Sequence, residues 1–281
     1  MKKSIIALIA LLIISLPAFS IFDENDPSVR ARGMAGTYNA VSDNYEGVFY
    51  NPAGLALAQN SAGASVANLY SNSFLKLTTM GVNYNTPKFG SFAFGFEELS
   101  VEYLDVNLTS EKTFTIAHAV CLNKDVNSET YLGYSANLYN LTYEGLGSQS
   151  ALGFNAGIIA TLHTRTKLSL TVENINNPKM GENNEHNLPQ RFTAGIAYVP
   201  YQGVTTAFDI KKNWNGDSEF HGGVEAEIFP MLTLRAGIRN NPVKYSVGLG
   251  LKPYLGVNFD YAYDYHSVLN PTHQLGLSYK F

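Results

Sequence analysis

The chain has 281 residues, of which 45% are hydrophobic, 12% aromatic and only 15% charged, with 18 Tyr, 16 Phe, 24 Gly and one Cys. A net charge of −4 excludes a basic nucleic-acid surface, and a lone Cys121 excludes an intrachain disulfide or a multi-cysteine metal site. The charged fraction lies well below the roughly 25% of a typical soluble domain, which asks for an explanation.

Residues 1–20 read as a secretory signal peptide. Lys2 and Lys3 form a basic start, residues 5–16 an apolar stretch, and Ala18-Phe19-Ser20 places small residues at the −3 and −1 positions of a cleavage site before Ile21. Without Lys2 and Lys3 the 19 basic residues become 17 against 23 acidic ones, a net charge of −6. Beyond the leader no apolar run approaches the ~18 residues of a helical span.

Residues 21–61 carry a different pattern. Gly33, Gly36, Gly47 and Gly54 punctuate them, and Asn51-Pro52-Ala53-Gly54 is turn chemistry. The small residues from Arg32 to Ala40 suit a short helix or a tight loop. The acidic start Asp23, Glu24 and Asp26 reads as a solvated tail. The segment is long enough to fold into the lumen of a wide barrel as a plug, or hatch; the alternative is a flexible tail.

From residue 62 to the end, strand follows strand. Leu255, Val257, Phe259, Tyr261, Tyr263 and Tyr265 fall on one face, while Gly256, Asn258, Asp260, Ala262 and Asp264 fall on the other, the period of two that an extended chain imposes. About fourteen such segments, each about 8–11 residues, begin near Ala62, Leu75, Ser91, Lys112, Glu129, Ala151, Lys167, Gln190, Gly203, Phe220, Thr233, Val243, Leu255 and Thr272. Short connections (86–90, 123–128, 163–166, 200–202, 230–232 and 252–254) alternate with mostly longer ones (99–111, 140–150, 174–189, 213–219 and 266–271), the exceptions being 71–74 and 240–242. Short turns at one end and longer loops at the other mark an outer-membrane barrel. The predicted fold is therefore all-β: a transmembrane antiparallel β-barrel of about 14 strands over residues 62–281, with a short N-terminal plug. A soluble sandwich would carry the same alternation, but the even strand count, the Gly-, Ser- and Thr-rich polar face and the aromatic end Phe281 favour the barrel. Outward Phe92, Phe94, Phe96, Tyr261 and Tyr263 then face lipid, and Cys121 is expected to be a buried or lipid-side thiol near a short turn.

Two stretches resemble a known family. Residues 30–43, reading Arg-Ala-Arg-Gly-Met-Ala-Gly-Thr-Tyr-Asn-Ala-Val-Ser-Asp, and 49–56, reading Phe-Tyr-Asn-Pro-Ala-Gly-Leu-Ala, are similar to the N-terminal signature of the PorV/PorQ family, itself related to the FadL-type long-chain fatty-acid transporters. Residues 234–242, 260–263 and 272–278 resemble its C-terminal strands. Ala35 and Asn44 depart from the pattern, where a glycine and an acidic residue are commoner. The resemblance implies a FadL-like barrel with an N-terminal hatch, whose plug motif here is Arg32, Gly33, Gly36, Asp43, Asn51, Pro52, Ala53 and Gly54. His273 and Phe281 mark the C-terminal barrel signature.

Charged residues on the polar face are candidates for a lumen lining: Arg191, Asp209, Lys211, Glu225, Glu227, Arg235, Arg239, Asp260 and Asp264. A three-residue turn at 230–232 would put Glu227 opposite Arg235. The lining either selects a solute or, as paired charges, braces the barrel and holds the plug. His266, Ser267, Asn270 and His273 supply residue types of an esterase near one loop, with no supporting motif, so no catalytic residue is assigned. No cofactor and no metal site is indicated; the histidines lack ligand spacing. Three function classes follow: passive transport of a small hydrophobic solute, as the FadL side of the resemblance implies; a type IX secretion partner binding exported proteins, as the PorV side implies; or a closed structural barrel. Outer-membrane lipid and the barrel-assembly machinery are the expected partners in each, and nucleic acid in none.

Overall fold

The computed structural model describes residues 22, 26–104, 106–145, 147–181, 186–214, 216–254 and 256–281; the signal peptide lies outside them. Sixteen strands follow in chain order: β1 (Ser61–Asn68), β2 (Leu75–Thr86), β3 (Gly90–Tyr103), β4 (Val106–Lys124), β5 (Ser128–Tyr143), β6 (Gly147–Leu162), β7 (Thr166–Glu173), β8 (Lys179–Met180), β9 (His186–Asn187), β10 (Arg191–Tyr201), β11 (Val204–Asn213), β12 (Ser218–Phe229), β13 (Leu232–Arg239), β14 (Lys244–Tyr254), β15 (Val257–His266) and β16 (Thr272–Lys280). Fourteen of them close one antiparallel barrel, each paired with its neighbour in the chain and β1 paired with β16, while β8 and β9 make a small separate hairpin inside the β7–β10 connection. Closure pairs every strand edge, which is the condition for a sheet to sit in lipid. Ser61 lies opposite Lys280, so both ends of the barrel wall lie at the short-turn end.

Side chains alternate as the pattern predicts. In β15 Phe259 and Tyr265 point outward and are exposed, while Ala262 and Asp264 are buried inward. The wall differs from the predicted one in strand length. β3, β4, β5 and β6 run to 14, 19, 16 and 16 residues, so the connections expected at 99–111 and 140–150 are mostly strand. The outward face records where the apolar zone stops. Phe96, Phe114, Leu138 and Leu152 stand in one cross-strand row, and the next row toward the loop end is Glu98, Lys112, Asn140 and Ser150. Lys112 pairs with Glu98 at 3.4 Å, and Asn140 donates to Ser150 at 3.0 Å. These four strands thus continue past the apolar band as a polar-faced wing.

Three local expectations are corrected. The β12–β13 turn is Pro230-Met231, with a bulge between Glu227 and Phe229, so Glu225 rather than Glu227 lies opposite Arg235 and Glu227 faces Thr233. Cys121 is neither buried nor lipid-side: it shares the inward face of Ala117 and Ala119 and lies exposed beside a bulge near the short-turn end, its thiol 3.4 Å from the Asn123 carbonyl. Asp26 is no solvated tail; it is 2% exposed.

Residues 26–60 run along the inside of the wall. Ser28 caps a one-turn helix, α1 (Val29–Gly33), by accepting from Ala31 N at 3.0 Å. Two 3-10 turns follow, Tyr45–Phe49 capped by Asn44 and Pro52–Ala56 capped by Asn51, with Pro52 at the first helical position where its missing N–H costs nothing. The apolar core forms between this segment and small inward residues of the wall. One cluster joins Ala31, Met34, Tyr38, Val41 and Tyr50 to Ala197, and another joins Val48 and Leu55 to Ala93, Ala117 and Ala119.

Candidate functional site

The segment is tied to the lumen by charge at two levels. Toward the short-turn end, Arg30 grips Glu225 with two hydrogen bonds of 2.8 and 2.7 Å and bonds Asp43 at 2.6 Å. Glu225 also accepts from Arg235 at 2.6 Å, Arg235 reaches Asp260 at 2.6 Å, and Lys167 stands 3.4 Å from Asp43. Alternating signs let these buried charges satisfy one another. Around them lies a polar cavity of about 420 Å³ that also touches Glu227 and Lys252, themselves paired at 3.0 Å.

Nearer the loop end, Arg32 donates to Gln274 at 2.5 Å and to the Asp26 carbonyl at 2.9 Å, and lies 3.8 Å from Asp264. Asp26 meets Arg239 at 3.2 Å, and Asp264 meets Lys244 at 3.3 Å. Between the two levels Asp209 accepts the backbone N–H groups of Tyr38 and Asn39 at 2.7 and 2.9 Å. Asn39 in turn receives Thr171 at 2.6 Å and donates to Ser169 at 3.0 Å, and Asn51 donates to the Asn39 carbonyl at 3.1 Å.

Protonation follows from these contacts. Burial alone would raise the Asp26 carboxyl, but Arg239, Arg32, Lys211 and Lys244 hold it well below the usual carboxylate range. Burial likewise opposes the Asp43 anion, and Arg30 and Lys167 outweigh it, again lowering the carboxyl. At Glu46 burial prevails: it pushes the carboxyl up despite a hydrogen bond from Asn44 and the weaker pull of Arg30.

Inward glycines make room for the inner backbone. A methyl on Gly237 would overlap the Met34 carbonyl, and one on Gly133 would overlap the Pro52–Ala53 peptide. Gly33 in α1 packs on Gly248, where a Cβ would come 3.0 Å from the Gly248 Cα. Gly36 has φ +79, and a Cβ there would also meet Asp26 Oδ1 at 2.7 Å. Gly54 lies so close to Ser42 O that no side chain fits. Ala35, which departs from the family pattern, has φ 54, a conformation that favours glycine.

At the loop end a second cavity of about 100 Å³ is lined by Phe22, Leu99, Phe49, Tyr50 and Tyr139 on its apolar side. Its polar side carries Glu97, Glu111, Glu173, Arg191, Lys211 and Asn137. The hairpin β8–β9 closes over the wing beside it, with Met180 and Leu188 packed on Tyr139, Leu141 and Ala151. Asn174, at φ 53, fixes the start of this connection by accepting from Tyr139 at 3.0 Å and donating to the Pro189 carbonyl at 2.7 Å.

The structure places all nine lining candidates on the lumen side: Glu225, Arg235 and Asp260 in one network, Arg239 and Asp264 in the other, Asp209 between them, Arg191 and Lys211 at the loop-end cavity, and Glu227 with Lys252 at the short-turn cavity. His273 instead faces outward, its ring bonded to Tyr261 at 2.8 Å, and Phe281 stacks on Tyr279 at the opposite edge. His266 Nδ1 accepts from Val268 N and Leu269 N, so it shapes its loop. Among the described residues no three His, Cys, Asp or Glu side chains converge as metal ligands. Arg30, Lys167, Lys244, Gln274 and the three cavity glutamates are not among the lining residues predicted from the sequence, and Asp26 is predicted there only as part of a solvated tail. Strand alternation puts Glu97, Glu111 and Gln274 inward, but it does not say which inner backbone meets them.

A closed fourteen-stranded antiparallel barrel with a polar, charge-braced interior is the architecture these observations define. Its fold is shared with outer-membrane channels. The Ralstonia pickettii toluene transporter TbuX superposes with a TM-score of 0.65 at 10% identity, over 90% of this chain and 98% of that one. A Pseudomonas aeruginosa FadL homologue gives 0.59 at 11% identity, over 90% and 98%, and the Pseudomonas putida toluene transporter TodX gives 0.58 at 12% identity, over 92% and 98%. No protein-family model matches the chain, and no curated protein matches its sequence. At these identities the likeness is one of fold.

Proposed function

We propose that the protein resides in a bacterial outer membrane and passes small hydrophobic solutes through a lumen that residues 21–61 close as a hatch. The loop-end cavity carries this reading. One wall is aromatic and apolar, from Phe22, Leu99, Phe49, Tyr50 and Tyr139, and its volume of about 100 Å³ is of the order of the ~150 Å³ that holds a benzene molecule in a protein core. The fold shared with two toluene transporters supports the same class of solute. The loop end would face outward and the short turns the periplasm, with lipid against the apolar band. The aromatic last strand ending in Phe281 would direct the chain to the barrel-assembly machinery. The role is non-enzymatic, and it calls for no cofactor or metal.

A secretion-associated role, the PorV/PorQ side of the resemblance, is the second reading. The observation that favours it is the β3–β6 wing, a polar-faced surface standing clear of the apolar band where an exported protein could dock.

The test uses liposomes holding the purified full chain. Uptake of radiolabelled toluene above that of a sugar of similar size is expected, with loss of the preference in Tyr139→Ala. Asn51→Ala combined with Pro52→Ala, which removes the cap and the contact with Asn39, is expected to raise leakage of both. A full chain that passes neither solute, together with an unchanged double variant, would argue for a closed barrel.

A further inference from the structure

Asn137 and Tyr139 stand two positions apart on β5 and so share its inward face at the loop-end cavity, with Asn137 the deeper of the two. Their hydrogen bonds fix which way the Asn137 amide points. Asn174 spends its amide N–H on the Pro189 carbonyl at 2.7 Å, so its oxygen is the group that faces Tyr139. The Tyr139 hydroxyl therefore donates to it, at 3.0 Å, and keeps only lone pairs for Asn137. Asn137 meets those lone pairs with its N–H at 3.3 Å, which leaves its Oδ1 for another partner. A flipped amide would set oxygen against oxygen. Asn137 is 4% exposed, and Oδ1 has no hydrogen-bond partner. The charged side chains of the lining, Glu97, Glu111, Glu173, Arg191 and Lys211, are each engaged within the protein, and none of them bonds this atom. A buried acceptor without a donor thus lies beside the apolar wall of Phe22, Leu99 and Tyr139.

We propose that the solute this cavity selects is a neutral aromatic ring carrying a hydrogen-bond donor, of which phenol is the simplest, and that Asn137 Oδ1 is the acceptor that recognises it. This rests on reading the cavity as the solute site and adds what distinguishes the preferred solute. A volume of about 100 Å³ confines the ligand to a single ring with small substituents. A plain hydrocarbon such as toluene covers the apolar wall but leaves the acceptor buried and unmatched, which counts against its binding. An aryl ether sets a second acceptor against the first. A hydroxyl on the ring satisfies Asn137 while the ring keeps the apolar contacts. Discrimination of this kind is steep, because a polar group built into a dry site penalises every ligand that cannot pair with it. Asn137 is therefore the specificity-determining residue, and Tyr139 with Asn174 positions its amide.

The experiment uses the purified full chain in lipid nanodiscs at pH 7, where a phenolic hydroxyl, which titrates near ~10, keeps its proton. Phenol, anisole and toluene are each titrated by ligand-observed NMR, with empty nanodiscs as the blank. The three share one ring and differ in what it carries: a donor, an acceptor alone, or neither. We expect phenol to bind at least about tenfold tighter than toluene, and anisole no tighter than toluene. In Asn137→Leu the preference for phenol over toluene should fall below about twofold. In Tyr139→Phe, which frees the Asn137 N–H, anisole should gain on toluene. The comparison of ligands on the unaltered chain needs no variant, so a variant that fails to fold does not decide the matter. Phenol binding no tighter than toluene, or a preference that survives in folded Asn137→Leu, would overturn the proposal and leave the cavity standing as a site for plain hydrocarbons. Binding of none of the three would overturn the reading of the cavity as a solute site, and this proposal with it.

Discussion

Arg235 holds two carboxylates at once, Glu225 and Asp260, while Arg30 bridges Glu225 to Asp43. The Arg235 side chain is 6% exposed. Removing it strands two acids in the lumen rather than deleting one pair. We expect Arg235→Ala to cost about 3 kcal/mol, the low end of the range for breaking a buried pair because Asp260 keeps some solvent, and to raise conductance; urea titration of the folded barrel and planar-bilayer recording check both. Acid should loosen the same segment. Asp26 and Asp43 have folded-state carboxyls lowered below their ordinary 3.8, so the unfolded chain binds protons first as pH falls. Their stabilisation is present above 3.8 and is lost as pH drops below it. Glu46, raised by burial, has the opposite sign and is already neutral in that window. Conductance should therefore rise below pH 3.8, with a shallower rise in Asp26→Asn; a flat pH response would count against the ionic latch.

At the scale of elements, the wall and the inner segment fit because strand glycines let backbone approach backbone. Gly133 faces the Pro52–Ala53 peptide and Gly237 faces Met34. A valine at either position fits a strand but leaves no space for the segment, so Gly133→Val should fold as a barrel, show normal heat-modifiable migration on gels, and leak. The strands themselves are legible in the sequence because alternation is a local property, and inward Gly, Ser, Thr and charge stand out against outward Leu, Val and aromatics. What alternation cannot give is where a strand stops once its outward face loses the apolar residues. Past Phe96 and Leu138 the outward residues turn polar, which reads as loop, yet backbone pairing continues through Tyr103 and Tyr143. The Glu225–Arg235 register was hidden for a related reason, since a bulge next to a two-residue turn shifts pairing without changing composition. The hairpin β8–β9 has two residues per strand, too few for any period to register. Partners such as Gln274 for Arg32, 242 positions apart, depend on the closed barrel and have no local signal.

For the whole molecule, the outer surface decides the medium. Leu275 is 64% exposed and stands between Tyr261 and Val66 near the middle of the apolar band, whereas Phe96 belongs to the last apolar row before Glu98, Lys112, Asn140 and Ser150. In water both positions would tolerate arginine, since neither packs into a core. In lipid the two should part. An arginine at the midplane of a membrane barrel costs about 2–4 kcal/mol and one near the interface about 0–1 kcal/mol. Leu275→Arg is thus expected to lower the stability of the chain refolded into phosphatidylcholine vesicles by about 2–4 kcal/mol, and Phe96→Arg by clearly less, both read from urea titrations followed by tryptophan fluorescence of Trp214. Equal, small costs would mean that this face meets water and that the polar row is no membrane boundary. A gradient with depth would fix the height of the band, and with it how far β3–β6 extend beyond it.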